Sequence, residues 1–208
     1  MTIEKIEDVI IPHKIIGADT GWEGEILPIL ETYADYLGDE MSEPTSADRI
    51  KKCEQALGTT LPNDLKLFYL RFGAARLTEG LFSVEEFEYI TANWGQDFLE
   101  HYNKEEHSVL SKLIVFGDYL GNGNVWCFHK DTKEIFYYNH DSKPNINQMF
   151  GTFYEYLQSL LIFTQAEIGQ DIENFDKECE KLVVDLIGKD RVKVWQYFGG
   201  WDQAQSSS

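Results

Sequence analysis

Residues 113–140 read LIVFGDYLGNGNVWCFHKDTKEIFYYNH. Three runs in it are rich in β-branched and aromatic residues: Leu113 to Phe116, Val125 to Phe128 and Ile135 to Tyr138. Such residues favour a pleated, half-buried surface, and each run has the length of a short strand. Between them lie Gly121 to Asn124, with its Asn-Gly step, and the polar stretch His129 to Glu134, both of which carry turn chemistry. Connections this short join antiparallel neighbours, so the stretch predicts an antiparallel meander.

Helical spacing surrounds it. Upstream, Thr45 or Ser46 caps a helix on which Ala47, Ile50, Cys53 and Leu57 share one face and which Gly58 stops. Pro62 suits the first position of a second helix, where Leu61, Leu65, Phe68, Tyr69 and Phe72 form a stripe ending at Gly73. Between Leu77 and Glu106 the signals are mixed. Leu81 and Phe82 suit a strand, Ser83 with Glu86 has capping-box spacing for a helix carrying Phe87 and Ile90, and Trp94 to Ser111 reads as helix with loops. Downstream, Phe153, Tyr156, Leu157 and Leu160 recur at offsets of three and four in a helix from Thr152 to Phe163. Helices around a run of antiparallel strands predict the α+β class, a meander sheet flanked by helices.

The flanks are helical too. Ile26, Leu27, Ile29, Leu30, Tyr33, Tyr36 and Leu37 recur at helical spacing and predict one short helix after Pro28 and before Gly38, with acidic loops around it; Ile168, Ile172, Phe175, Cys179, Leu182, Val183 and Leu186 predict a longer one stopped by Gly188. The expected division is an acidic N-terminal extension over 1–45, a core domain over 46–163 and a C-terminal helical extension over 164–208. Trp195, Phe198 and Trp201 fit core or self-packing better than a docking surface.

The chain carries 36 acidic against 18 basic residues, a formal charge of −18 over 208 residues. Half of that excess falls within residues 1–46. Phosphate-backbone binding gains its affinity from Lys and Arg, so the charge argues against nucleic acid and anionic membrane as partners and for a basic protein. No apolar run approaches the roughly 20 residues that span a bilayer, and MTIEKIEDVIIPHK lacks signal-peptide character, which predicts a cytoplasmic protein. Cys53, Cys127 and Cys179 are odd in number and lack CxxC spacing, so reduced core thiols are expected, with no metal site and no cofactor.

Gly121-Asn122-Gly123-Asn124 lacks the third Gly and the helix of a phosphate loop; it reads as a turn whose Asn122 and Asn124 present hydrogen-bonding groups. His140-Asp141 is half of an acid-base pair, but no local motif marks a nucleophile, so no catalytic residue is assigned and a strand end is the better reading. His101 and His107 do not match HExxH, and Cys127 with His129 is an isolated pair on one strand face. Glu79, Glu85, Glu86, Glu88, Asp97 and their acidic neighbours interleave with Phe82, Phe87 and Trp94. This is the expected partner-binding surface, acids around aromatic anchors, to which Trp94, Asn122, Asn124, His140 and Asp141 are added. Glu4, Glu7, Asp8, Glu23 and Glu25 form a competing acidic location.

The order of these elements resembles the SUKH superfamily, the Smi/Knr-like domain, of the bacterial toxin-immunity type. The likeness spans about residues 46–163 and rests on Gly58 with Leu61-Pro62-Asn63-Asp64-Leu65, on Leu113 to Gly117 with Gly121 to Phe128, on Tyr138-Asn139-His140-Asp141, and on Phe153-Tyr154-Glu155-Tyr156-Leu157. The chain has Gly123-Asn124 where members often have Gly-Asp, and Phe72-Gly73-Ala74-Ala75 where they often have an aromatic followed by Asn-Gly-Gly. The resemblance implies a non-enzymatic immunity protein that binds the C-terminal domain of a cognate toxin, often a nuclease, and covers its active site. An intracellular scaffold or regulatory module of the Smi/Knr type is the alternative, and the oligomeric state stays open.

Overall fold

The structure, a computed structural model, describes residues 1–94, 98–118, 121 and 123–195. In chain order its elements are α1 (Glu23–Leu37), α2 (Ala47–Leu57), α3 (Asn63–Phe72), β1 (Gly80–Leu81), β2 (Glu88–Tyr89), α4 (Ile90–Asn93), α5 (Lys104–Leu110), β3 (Leu113–Asp118), β4 (Val125–His129), β5 (Ile135–Tyr138), β6 (Ile146–Phe150), α6 (Phe153–Ile168), α7 (Phe175–Ile187) and α8 (Lys189–Val194). The fold is α+β, with a six-stranded antiparallel sheet in the order β1-β3-β4-β5-β6 and β2 beside β1 along the same edge of β3.

The meander forms in the expected order, with Val115 opposite Cys127 and Cys127 opposite Phe136. Side chains alternate across it, so one run of residues builds two cores. Ile114, Phe116, Trp126, Phe128, Ile135 and Tyr137 face the large core under α2, α3 and α6. Leu113, Val115, Val125, Cys127 and Tyr138 face a smaller one, closed by Ile90, Phe98 and Leu110 from the segment around α4 and α5. A bulge between Val115 and Gly117 lets Gly80 cross close to β3: a Cβ on Gly117 would lie 2.6 Å from the Gly80 carbonyl oxygen.

Local signals explain the helices. The Ser46 hydroxyl accepts the Arg49 N–H, and α2 ends in left-handed Gly58. Pro62 is the residue before α3 rather than inside it. The Ser83–Glu86 capping box forms, but it caps one 3-10 turn; Phe87 and the β2 strand follow, so the predicted helix through Ile90 is interrupted. α1 begins five residues ahead of Pro28, which therefore sits inside it and costs one backbone hydrogen bond. Strand β6 is not among the expected elements, and the helix expected from Ile168 to Gly188 is broken after Ile168, the last residue of α6, and resumes as α7, with α8 following beyond Gly188.

Both extensions are built into the large core. Trp22 meets Phe72 edge-on with ring centres 5.6 Å apart, and Phe175, Cys179, Val183, Val192 and Trp195 are buried beside α6. The Gln165 side-chain amide pairs with Ile10 like a strand neighbour, accepting its N–H and donating to its carbonyl, both at 2.8 Å. Among the described residues no helix is long and apolar enough to cross a membrane.

Candidate partner-binding site

The meander brings the polar ends of β3, β4 and β5 together. Because Val125 lies opposite Tyr138, the residues just beyond them, Asn124 and Asn139, leave the sheet side by side. Asn124 is buried, and its Oδ1 accepts the His140 backbone N–H at 3.1 Å and faces His140 Nδ1 at 2.9 Å. An amide oxygen at Nδ1 requires that nitrogen to carry the hydrogen. Asp141 Oδ1 lies 3.1 Å from the other ring nitrogen and makes an ion pair whenever the ring is protonated. Asn145 Nδ2 ties the turn that follows, donating to the Asn139 and His140 carbonyls.

Trp94 closes this cluster from the smaller core. Its ring stacks on Phe98, leans on Tyr138 and lies 6.3 Å from the His140 ring. Its indole Nε1 is buried without a hydrogen-bond partner among the described residues. Gly123 makes the close approach possible, since a Cβ there would stand 3.2 Å from the imidazole and its φ of +91° favours glycine. Asp118 at the end of β3 joins the same corner, accepting from the Gly121 backbone; burial raises its carboxyl above the ordinary range. Asp118 was not singled out from sequence, although an acid before a Gly-Asn-Gly-Asn turn is a turn-closing signal.

The structure thus unites Trp94, Asn124, His140 and Asp141 and separates the acids from them in role. Glu88 is exposed on β2 at the sheet edge. Glu86 is spent on the Ser83 cap, with its Oε2 taking both the backbone N–H and the hydroxyl of that residue. Glu85 holds Arg49 in a two-pronged pair at 2.6 Å, and that guanidinium keeps its carboxyl below the ordinary range. Two expectations are corrected. Glu79 is 1% exposed and points into the large core, and Asn124 is fully buried, so neither is a surface contact. Asp97 and Asn122 lie outside the described residues.

Among the described residues no group of three His, Cys, Asp or Glu is placed to hold a metal ion. All three cysteines are buried and unpaired, and burial pushes their thiols up, to about 11 for Cys53 and about 12 for Cys179, leaving little thiolate at neutral pH. The described contacts of His140 are amide, carboxylate and aromatic, with no Ser, Cys or Lys nucleophile beside the ring. The corner offers hydrogen-bonding groups and an aromatic edge at the end of the sheet.

Searches of curated proteins and of solved structures found no match to the chain. A family model, described as the SMI1 / KNR4 family (SUKH-1), matches residues 44–159, which span the sheet, α2, α3, the first half of α6 and the corner around His140. With more than half of its length matched, the chain belongs to the SMI1 / KNR4 (SUKH-1) family.

Proposed function

We propose that the chain is an immunity protein that binds and neutralises the basic C-terminal domain of a cognate toxin, covering its active site. Family membership supports a binding role of this kind. The observation that carries the choice of partner is charge: between Lys14 and Arg49 there is no Lys or Arg, while eight acids lie on α1 and its flanking loops, most of them exposed. Complementary charge of this size steers a basic domain to the surface and discriminates against acidic competitors. The corner of Trp94, His140 and Asp141, with Glu88 on the neighbouring sheet edge, supplies the short-range contacts.

The test is affinity purification of the tagged full-length chain from its native host, washed at high salt, with partners identified by mass spectrometry. The proposal expects one stoichiometric partner ending in a basic domain that is toxic when expressed alone. Several substoichiometric partners without toxicity would favour a scaffold instead.

A further inference from the structure

Trp195 ends α8 and lies at 0% exposure in the large core. Its ring packs between Trp126, Phe150 and Phe163, with ring centres 4.9, 5.8 and 4.8 Å away, and stacks along Tyr156. Its Nε1 donates to Glu79 Oε1, while the Tyr156 hydroxyl donates to Oε2 at 3.2 Å. The indole of Trp126 lines the same basin with its buried Nε1 outside ordinary hydrogen-bond geometry. Glu79 is therefore a carboxyl at the bottom of an aromatic basin, and Trp195 is what closes that basin.

The arm that delivers Trp195 turns at a glycine and is anchored in the core by Val192, by part of Val194 and by Trp195 itself. Gly188 joins α7 to α8 with φ +86°, a conformation suited to glycine, and a Cβ there would meet nothing within 4 Å. Within α8 only Val192 is buried; Lys189, Arg191 and Lys193 are exposed. The groups facing Glu79 are Tyr156 from α6, Trp126 from β4, Trp195 itself and, as a like charge, Asp118 from β3. Glu79 has no ion pair among the described residues.

We propose that α8 and Trp195 form a protonation-controlled plug: it stays seated while Glu79 is neutral and swings out about Gly188 when Glu79 ionises, exposing the aromatic basin. A buried carboxylate without a counter-cation is costly, and withdrawal of Trp195 gives it water. Burial is also the main cause that raises the Glu79 carboxyl to about 8, against the partial opposition of the Trp195, Trp126 and Tyr156 donors. The seated arm keeps the proton and the withdrawn arm releases it, so opening grows with pH by about tenfold per unit until the seated group titrates. The plug does not depend on the immunity proposal.

Hydrogen exchange at the Trp195 indole, measured against that of Trp22, another buried indole in the same chain, tests this. The ratio cancels the general acceleration of exchange by base. The expected result is a Trp195/Trp22 ratio that climbs about tenfold per pH unit and levels off near 8 in the native chain, and a flat ratio in Glu79→Gln, which keeps an acceptor for the indole. A flat ratio in the native chain, or the same climb in Glu79→Gln, would overturn the plug. Trp195→Phe provides a second reading: with a smaller aromatic ring in place of the indole and the N–H removed, tryptic cleavage at Lys189, Arg191 and Lys193 should quicken at neutral pH, and unchanged cleavage would also count against it.

Discussion

The side-chain oxygen of Asn124 lies 2.9 Å from Nδ1 of His140 and 3.1 Å from its backbone nitrogen, so one buried amide fixes both the exit of β5 and the imidazole that follows. Asn124→Ala leaves both donors without that acceptor and should cost about 1–3 kcal/mol of stability. Asn124→Asp keeps an acceptor and should cost less. Urea denaturation of the two variants measures the difference; equal losses would show that the oxygen is not what the site uses.

Glu85 and Glu88 stand near each other in sequence but differ in electrostatic state. The Glu85 carboxylate is matched by Arg49, whereas Glu88 has no ion pair among the described residues. Charge reversal at Glu88 should therefore slow association with the proposed basic partner by several-fold at low salt, an effect that fades as salt is raised. Arg49→Ala should change thermal stability little, because the pair is half exposed. Stopped-flow association at two ionic strengths and thermal unfolding check the two expectations.

Stability should depend on pH through Glu79. Its carboxyl is raised from 4.5 to about 8 by burial, so the folded chain holds a proton that the unfolded chain releases between those values. The stability from this group is complete below the unfolded value and is lost as pH rises through the folded one, with a slope approaching about 1.4 kcal/mol per unit. Glu79→Gln should flatten that decline in chemical denaturation series.

Gly73 closes α3 at φ +65°, and a Cβ there would run into the backbone carbonyl of Glu43 at 2.1 Å. Backbone against backbone leaves no side chain to move aside. Gly73→Ala should cost about 3 kcal/mol, combining left-handed strain with the clash. A loss below about 1 kcal/mol in denaturant unfolding would contradict this packing.

Much of this was legible because local chemistry and global fold agree. Ser46 and Gly58 frame α2, and the Asn-Gly turn and apolar runs define β3 to β5. β6 escaped notice because Ile146 to Phe150 is interrupted by Asn147 and Gln148 and does not alternate cleanly. The C-terminal helix looked continuous because Ile168, Ile172 and Phe175 keep helical spacing across the break. A Cβ at Gly169 would run into the Phe175 ring six residues on, so a glycine is what lets the chain turn back closely at the break. Glu79 misled for a related reason: between Thr78 and Gly80 it looks like a surface acid, and its aromatic donors come from α6 and the chain beyond α8.

The same tertiary reach argues that the extensions are not removable. Residues 46–163 without α7, α8 and α1 would expose the faces that Ile26, Ile29, Phe175, Val183 and Trp195 now cover. That fragment should aggregate or lack a cooperative transition, as size-exclusion chromatography and calorimetry would show. A monomeric, cooperatively folding fragment would contradict the shared core.

The central claim is neutralisation, and growth under co-expression tests it most directly. The proposed partner, a toxic basic domain identified by co-purification, is to be expressed alone, with the native chain, and with the Glu88 charge-reversed chain. The account predicts arrest alone, full growth with the native chain, and weakened protection with the variant. Arrest that persists despite ample native chain would contradict it.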